Sequence, residues 1–178
     1  MTTPAIRPGL PADIPAIAAI YADAVLHGTA SWELEPPGEV EMQQRYEAIL
    51  AGGYPYLVAE RDGELLGYAY AGAYRPRPAY RATVENSIYI APAAQGLGIG
   101  GLLLDALMQA CTERGFRQMI AVIGDGTGAS VGSRRLHERA GFRLIGVAEK
   151  VGFKHGRWLD QMLMQKELGE GGSTPPAP

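Results

Sequence analysis

The N-terminal part of the chain carries hydrophobic residues at helical spacing. Residues 5–7 are typical of a short strand, and Pro11-Ala-Asp13 then offers a helix cap. Behind it, apolar positions three or four apart predict an amphipathic helix: Ile14, Ile17, Tyr21 and Ala24. Residues 39–51 place apolar positions among charged ones and end at Gly52-Gly53, which stops a helix. This pattern predicts one strand followed by two helices.

Strand-like runs occupy the middle of the chain. Residues 56–61 and 65–74 are joined by Asp62-Gly63, a turn pair that accepts the positive backbone angles of a tight hairpin, so we expect these strands to pair antiparallel. Residues 84–90 predict another, largely buried strand. Residues 75–81 contain two prolines without amide donors, so they predict a loop between the hairpin and that strand.

Helices and strands alternate in the C-terminal half. The predicted elements are a helix, a strand, a second helix and two strands, over residues 102–114, 119–123, 130–140, 143–151 and 158–168. The order β-α-α-β-β-β-α-β-α-β-β predicts a single α/β (α+β) domain over residues 1–168. Residues 169–178 have few groups to bury, so a disordered tail is expected there.

Composition limits the classes of function. A chain of 178 residues, 47% hydrophobic, suits one domain with its own core. The formal net charge of -3 gives no general attraction to nucleic acid or to an anionic membrane, and we expect neither as a partner. No apolar stretch approaches the length that spans a bilayer, so a soluble, cytoplasmic protein is expected.

The chain has a single cysteine, Cys111. One cysteine excludes an internal disulfide and a cysteine-based zinc site, which agrees with a reducing compartment, and we expect no metal. Because Cys111 ends an apolar helical stretch, we expect a small buried hydrophobe rather than a nucleophile.

The strongest chemical signal is the turn Gln95-Gly-Leu-Gly-Ile-Gly100-Gly101, between a predicted strand and a predicted helix. Bare backbone amides and the helix dipole at such a turn can receive a pyrophosphate. A turn without a ligand is disfavoured, because so many glycines at a helix start cost stability.

The same turn also matches a dinucleotide fingerprint. Gly96-x-Gly98-x-x-Gly101 has the required spacing, and Asp125 follows the next strand as a possible ribose-binding acid. The turn, however, begins well after Ile90, Pro92 interrupts the gap, and too few strands remain for that fold. Pyrophosphate binding outside a dinucleotide fold is therefore favoured.

Several motifs resemble one family. Gln95-x-x-Gly98-x-Gly100 resembles the pyrophosphate motif of the GNAT superfamily of N-acetyltransferases, and the resemblance covers roughly residues 4–168. Further motifs resemble its phosphinothricin acetyltransferase branch, which includes acetyltransferases of methionine sulfone and sulfoximine: Val84-Glu-Asn-Ser-Ile-Tyr-Ile90, Ala121-Val-Ile-Gly124, Leu136-His-Glu138, Gly141-Phe142, and Lys154-His-Gly156 with Trp158. The resemblance implies the GNAT acyl-CoA N-acyltransferase fold, a mixed, mostly antiparallel sheet flanked by helices.

The resemblance implies direct attack of an acceptor amine on the thioester of acetyl-CoA in a ternary complex. It gives Glu85 the role of general base, and its apolar strand neighbours predict a raised pKa. The alternative is a surface carboxylate on a strand. His137 stands where many members have a tyrosine that protonates the departing thiolate, and histidine suits that chemistry. A histidine packed against CoA, or hydrogen-bonded within its helix, remains an equal alternative.

The resemblance also assigns the acetyl-CoA contacts. Backbone groups of one strand would pair with the pantetheine arm, at Ile88, Tyr89 and Ile90. The amides of the turn would hold the pyrophosphate, at Gly96, Leu97, Gly98, Ile99, Gly100 and Gly101, while Gln95 orients the loop. The asparagine common in the family near the start of the next helix is missing, and Ser130 or Ser133 could replace it.

The predicted acceptor is small and amino-acid-like. Arg75 and Arg77, with Tyr80 nearby, are suited to grip a carboxylate by paired donors, although a solvated loop is the alternative. Trp32 matches an aromatic loop that walls the acceptor pocket in the family, and a core or interface tryptophan is equally open.

Other classes remain open from the sequence. A peptide or protein acetyltransferase would share the CoA half, and a non-catalytic acyl-CoA sensor would bind the cofactor without needing Glu85. An aminoglycoside enzyme should have an acidic pocket, against which the arginine loop argues. A homodimer is implied by the resemblance alone.

Overall fold

A computed structural model describes residues 3–125 and 130–176. Its elements follow the predicted order: β1 (Ala5–Pro8), α1 (Ile14–His27), α2 (Glu39–Ala51), β2 (Tyr56–Arg61), β3 (Glu64–Ala73), β4 (Thr83–Ile90), α3 (Ile99–Glu113), β5 (Gln118–Gly124), α4 (Val131–Arg139), β6 (Arg143–Lys154) and β7 (Arg157–Glu167). Short 3-10 turns occupy Pro11–Asp13, Pro78–Tyr80 and Pro92–Ala94. The predicted α/β (α+β) architecture is confirmed.

The strands within the described ranges form one sheet in the order β1-β2-β3-β4-β5-β7-β6. Neighbours pair antiparallel except β4 and β5, which are parallel and are joined through α3. The hairpin between β2 and β3 turns at Asp62 and Gly63, whose φ angles of 54° and 82° confirm the predicted turn chemistry. The sheet is therefore mixed and mostly antiparallel, as expected.

Two apolar clusters cover the two faces of the sheet. On one face α3 buries Leu103, Leu104 and Leu107 completely against the strands. On the other, α1 buries Ile17 and Val25 within a cluster rich in tyrosine. Full burial of each such side chain contributes about 1.5–3 kcal/mol relative to exposure. The sheet is thus held between α3 and the α1–α2 pair.

Asp13 fixes the start of α1 differently from the prediction. It is the residue before the helix, but its side chain makes no cap hydrogen bond to α1. Instead, Asp13 Oδ2 accepts from the Leu10 amide at 2.8 Å, and the carboxylate accepts two bonds from Arg7. The bonds from Arg7 lower the pKa of Asp13. Asp13 therefore fastens the turn before α1 to β1 rather than capping the helix.

Two element boundaries differ from the prediction by three residues, and the other predicted ranges differ by one residue at most. Helix α3 begins at Ile99 rather than Leu102, because Gly98 precedes it with a φ of 81° and starts the helix from the left-handed region. Strand β6 continues to Lys154 rather than ending at Val151. Its register to β7 shifts twice, and such bulges bend a strand without ending it.

The residues after β7 form turns and bends over residues 169–174. The Leu168 amide donates to the Arg117 carbonyl at 2.9 Å, and Arg117 forms an ion pair with Glu170 at 3.1 Å. The Thr174 hydroxyl donates to Glu170 at 2.7 Å. Residues 177 and 178 lie outside the described residues, and the disorder of the tail in solution stays a prediction. None of the helices in the described ranges is both long and apolar enough to cross a membrane.

Cys111 lies on α3 with no exposed surface, and burial raises the pKa of its thiol to about 12. The thiolate is the reactive form, so the native protein should not react with a thiol reagent near pH 8. We expect one thiol to react only after denaturation, measured by absorbance with an aromatic disulfide reagent.

A matched control lies two residues away on the same helix. Gln109 is exposed, so Gln109→Cys should present one thiol that reacts at once in the folded protein. Rapid reaction of the native wild-type chain would show that Cys111 is accessible and would contradict the packing described above.

Candidate active site

Glu85 lies in the middle of β4, opposite Gly72 of β3 and Ile120 of β5. Its side chain is half-buried, and burial raises the pKa of its carboxyl, while the Arg75 charge opposes that rise. The raised pKa expected from the apolar strand neighbours is thereby confirmed. Because Gly72 has no side chain, β3 does not cover the carboxylate. Glu85 can therefore accept a proton from a group approaching this face of the sheet.

Strands β4 and β5 separate beyond Asn86. Their parallel register runs from Thr83 with Gln118 to Asn86 with Ala121, although β4 continues to Ile90 and β5 to Gly124. The C-terminal half of β4 keeps its pairing with β3. On its other side, backbone groups of Ile88, Tyr89 and Ile90 thus border an opening, where an extended ligand arm could pair with them.

The glycine-rich turn has open space on its outer side. Gly96 and Gly98 have φ angles of 75° and 81°, and a Cβ atom added at Gly96, Gly98 or Gly101 would meet nothing within 4 Å. Ile99 is buried and anchors the turn, whereas Gln95 and Leu97 are exposed. These residues fit a pyrophosphate, because left-handed glycines turn successive amides toward one side at the start of a 15-residue helix.

Gly100 has a different task from its neighbours. A Cβ atom at this position would lie 3.2 Å from the Leu136 side chain, and Gly100 therefore lets α3 and α4 pack closely. The Gly101 amide donates to the Gly98 carbonyl at 3.1 Å, which closes the first turn of α3. Among the described residues, no backbone carbonyl accepts a bond from the amides of residues 96–100. Those amides remain available to a ligand.

His137 is buried against Asn86 on the opposite face of β4 from Glu85. Its Nδ1 lies 2.8 Å from the Ser133 carbonyl oxygen, and its Nε2 lies 3.1 Å from Asn86 Oδ1. Burial lowers the pKa of His137, so the neutral ring is favoured. A carbonyl can only accept, so Nδ1 carries the hydrogen, and the neutral Nε2 faces the Asn86 side-chain amide without one.

Asn86 is a residue of this arrangement that sequence reasoning missed. It is 6% exposed, and its amide nitrogen also donates to the Ile120 carbonyl at 3.4 Å, beside the last residue pair of β4 and β5. A polar residue at an inward position of an apolar strand is the signal that could have identified it. Asn86 connects the point of separation to α4.

Trp32 lies against the ends of β5 and β6. A Cβ atom added to Gly152 would overlap its ring, and one added to Gly124 would lie 3.4 Å from it. The preceding residue is fixed from two sides: the Ser31 carbonyl accepts from Lys154 Nζ at 2.8 Å, and its hydroxyl is 2.9 Å from the Tyr21 hydroxyl. Trp32 therefore lies beside the wide end of the opening.

Sequence reasoning missed the part of Lys154 in this loop. Lys154 is 3% exposed, and burial lowers the pKa of its amine while the Glu33 charge opposes that change. A lysine within a motif carries no sign of burial, so only the fold reveals it.

The residues of the arginine loop lie in different surroundings. Arg75 stacks on the Tyr74 ring at 5.1 Å, and its charge acts on Glu85. Tyr80 packs edge-on against Tyr74, whereas Arg77 is exposed at the start of a 3-10 turn. Only Arg75 is thus brought into electrostatic contact with Glu85 in the described ranges.

The two serines considered for the cofactor have protein partners. Ser130 is buried with its hydroxyl 2.9 Å from the Thr29 hydroxyl, and Ser133 offers its carbonyl to His137. Residues 126–129 of the same glycine-rich segment lie outside the described residues. Among the residues that are described, no three His, Cys, Asp or Glu side chains come together as a metal site.

Known proteins are similar to this chain in sequence. The sequence profile of the acetyltransferase (GNAT) family matches residues 17–142. The chain is 54% identical over 165 residues to a phosphinothricin N-acetyltransferase of Alcaligenes faecalis, covering 92% of this chain and 82% of that protein. It is 43% identical over 171 residues to an L-methionine sulfoximine/L-methionine sulfone acetyltransferase of Pseudomonas paraeruginosa, covering 96% and 98%.

A solved structure agrees with these relatives. The crystal structure of a GNAT superfamily phosphinothricin acetyltransferase from Sinorhizobium meliloti, in complex with AcCoA, superposes with a TM-score of 0.94 at 50% identity. The match covers 99% of this chain and 94% of that one. The glycine-rich turn, the separated strands and Glu85 thus belong to an acetyl-CoA-dependent N-acetyltransferase, and the chain is a member of the acetyltransferase (GNAT) family.

Proposed function

We propose that the enzyme acetylates the amino group of a small amino-acid-like acceptor of the phosphinothricin, methionine sulfone or methionine sulfoximine type. The observation that carries this proposal is the placement of Glu85, a carboxyl of raised pKa, between the separating strands and the Arg75 loop. The names of the relatives support the same acceptor class.

In the proposed reaction, acetyl-CoA when bound supplies the thioester carbonyl carbon. Glu85 takes a proton from the acceptor amine, whose nitrogen then forms the new N–C bond as the C–S bond breaks. Backbone groups at Ile88 to Ile90 position the acyl end, and the amides of the turn hold the pyrophosphate. A general base of raised pKa suits this task because it retains basicity near neutral pH.

The departing thiolate needs a proton, and His137 is the proposed donor. Its Nδ1 hydrogen is committed to the Ser133 carbonyl, and the neutral ring carries none on Nε2, so Nε2 can donate only after it has first taken up a proton from solvent. That nitrogen faces Asn86, so donation requires this contact to open. In the alternative, His137 only fixes α4 against β4. A variant with a ring that cannot donate a proton at this position should then retain its turnover.

The acceptor carboxylate is proposed to lie against Arg75 and Arg77, with Tyr80 beside them and Trp32 forming the opposite wall. Arg75 is exposed at the mouth, and its guanidinium offers forked donors that match a carboxylate. Trp32 is fixed by Gly152 and by the bond from Lys154 to Ser31, so the wall is preformed.

The test is thiol release from acetyl-CoA with a panel of amines. The panel holds phosphinothricin, methionine sulfone, methionine sulfoximine, ordinary amino acids, short peptides and an aminoglycoside. Release with the amino-acid analogues supports the proposal, whereas release with peptides alone favours the protein acetyltransferase. If no amine of the panel causes thiol release although acetyl-CoA binds tightly, a non-catalytic sensor is favoured.

We further propose a homodimer in the cytoplasm. Strand β6 is at the edge of the sheet and exposes large apolar side chains together with Trp158 of β7: Leu144, Ile145, Val147, Val151 and Phe153. Exposed apolar patches of this kind mark interfaces, and a second copy is the proposed occupant. A lone buried cysteine suits a reducing compartment.

The role of Glu85 is tested by Glu85→Gln. Turnover at pH 7 should fall about 100- to 10,000-fold and recover partly at high pH, where the amine deprotonates unaided. The rise of wild-type activity with pH should follow the raised pKa of Glu85 and disappear in the variant. Folding favours the neutral carboxyl of a group with raised pKa, so the variant should melt no lower than wild type at pH 7.

Glu64→Gln is the matched control, because Glu64 is exposed at the start of β3, away from the opening. It should keep both turnover and the pH profile. Full activity of Glu85→Gln at pH 7 would contradict the assignment of the base.

The arginine loop is tested by Arg75→Ala and Arg77→Ala. Each should raise the KM of an amino-acid acceptor about 10-fold or more, as expected for a lost charge-assisted hydrogen bond, with little change in acetyl-CoA binding. Arg75→Ala alone should move the acidic limb of the pH profile to higher pH, because its charge lowers the pKa of Glu85. The KM of an acceptor methyl ester, which has no carboxylate, should not depend on these arginines. Equal losses of affinity for the acceptor and for acetyl-CoA would contradict the proposal.

The dimer is tested by Phe153→Glu, with sedimentation velocity as the measurement. A charge in a buried apolar interface is costly, so the variant should sediment as a monomer while wild type sediments as a dimer. Val40→Glu, at a 75% exposed position on α2, should stay dimeric. A monomeric wild-type protein would refute the assembly.

A further inference from the structure

A cavity of about 280 Å³ lies between α2 and the sheet. Its walls come from α1, α2, β2 and β3, and the lining residues are Tyr21, Met42, Arg45, Ala48, Ile49, Tyr56, Tyr68 and Tyr70. The polar groups of this lining are the tyrosine hydroxyls and the Arg45 guanidinium, and the other lining residues are apolar. The cavity is large enough for an amino-acid side chain and small for a drug-sized molecule.

The tyrosine rings form a rigid wall. Tyr56 stacks on Tyr68 and on Tyr70, with centroids 5.8 and 5.2 Å apart and interplanar angles of 4° and 9°. Tyr68 also stacks on Tyr89 at 5.3 Å. Stacked rings in a packed face have little freedom, so the cavity is preformed.

The Tyr68 hydroxyl is the unsatisfied group of this wall. The Tyr68 side chain is 0% exposed, and its hydroxyl has no hydrogen-bond partner among the described residues. Tyr21 bonds to Ser31 and Glu33, and Tyr70 bonds to Ser87. A buried hydroxyl without a partner costs stability, and a ligand or an ordered water in the cavity would satisfy it.

The cavity adjoins Glu85 through β3. Ile49 lines the cavity, and its Cδ1 lies 3.5 Å from where a Cβ of Gly72 would be. Gly72 is in turn the cross-strand partner of Glu85, and Tyr70 is the partner of Ser87. Gly72 therefore places no side chain between the Glu85 carboxylate and Ile49 at the edge of the cavity.

The charge on the cavity wall is already compensated. Arg45 Nη1 donates to Glu33 at 2.6 Å, and Nη2 donates to Glu41 at 2.5 Å. Both ends of the guanidinium therefore have carboxylate partners. An anionic side chain would find no unpaired cation among the described lining residues, whereas a neutral oxygen could accept from Tyr68.

We propose that this cavity is the side-chain subsite of the acceptor, and that Tyr68 is its specificity residue, donating to a neutral sulfone, sulfoxide or sulfoximine oxygen at the end of an apolar chain. The inference rests on the proposed acetylation of amino-acid-like acceptors. With the amine at Glu85, a side chain directed past Gly72 enters the cavity. The subsite favours a neutral polar tip over the anionic phosphinate of phosphinothricin.

The experiment compares kcat/KM for methionine sulfone, norleucine and phosphinothricin in wild type and in Tyr68→Phe. Norleucine has a side chain of similar length without an oxygen, so the sulfone-to-norleucine ratio isolates the hydrogen bond. Wild type should favour methionine sulfone over both other acceptors, and Tyr68→Phe should lower the sulfone-to-norleucine ratio about 10-fold. A ratio is independent of the fraction of folded enzyme.

Tyr46→Phe is the matched control. The Tyr46 hydroxyl donates to the Gly9 carbonyl at 2.9 Å, so this variant should melt lower while keeping the acceptor ratio. Tyr68→Phe should melt no lower than wild type, because its hydroxyl has no partner among the described residues to lose.

A second pair of variants tests the cavity itself. Ala48 lies at the exposed rim of the cavity on α2, so Ala48→Leu narrows the cavity and should raise the KM of methionine sulfone about 10-fold relative to that of alanine. Glu47→Leu, at an exposed position on the opposite side of the same helix, should not. If Tyr68→Phe still acetylates amino acids with an unchanged sulfone-to-norleucine ratio, the inference is overturned. It is also overturned if the variant changes the preference among acyl-CoA chain lengths instead of the preference among acceptors. A wild-type preference for phosphinothricin over methionine sulfone overturns the claim that the subsite favours a neutral tip. Failure to acetylate any amino acid instead refutes the proposed function.

Discussion

The site depends on one interruption of backbone pairing. Strands β4 and β5 share a parallel register over only four residues, and beyond Asn86 and Ala121 they separate. Unpaired backbone groups inside a sheet are costly unless another partner satisfies their hydrogen bonds. The opening is therefore a site where an extended ligand can pair with β4 as a neighbouring strand would. Gly98 then starts α3 at its rim and directs a helix N-terminus toward the same ligand.

The alternation of side chains along β4 divides the chemistry between two faces. Glu85 and Asn86 are consecutive, so they point to opposite sides of the sheet. Glu85 faces the acceptor side with the tyrosine cluster, and Asn86 holds His137 on the side of α3 and α4. The proposed base and the proposed proton donor therefore lie on opposite faces, on either side of the opening.

The local signals in the sequence predicted the fold and the turn, and the long-range contacts escaped it. Asp62-Gly63 and Gly96 to Gly101 require particular backbone angles whatever their surroundings, so the hairpin and the turn could be predicted from the sequence. The packing of Trp32 on Gly152 joins residues that are far apart in the chain. The separation of β4 from β5 likewise depends on how the strands pair in the folded sheet. Sequence reasoning alone could not reach either.

The distribution of compensated charge indicates how an acceptor would be oriented. Arg45 and Lys154 lie near the tyrosine face, but carboxylates bind the first, and the second is buried against the Ser31 carbonyl with Glu33 nearby. Arg75 instead lies exposed at the mouth, where it also acts on Glu85. An amino acid with its amine at Glu85 would therefore direct its carboxylate outward to Arg75. The remaining direction, past Gly72 toward α2, is left for the side chain, because a helix and four tyrosines enclose a neutral space there.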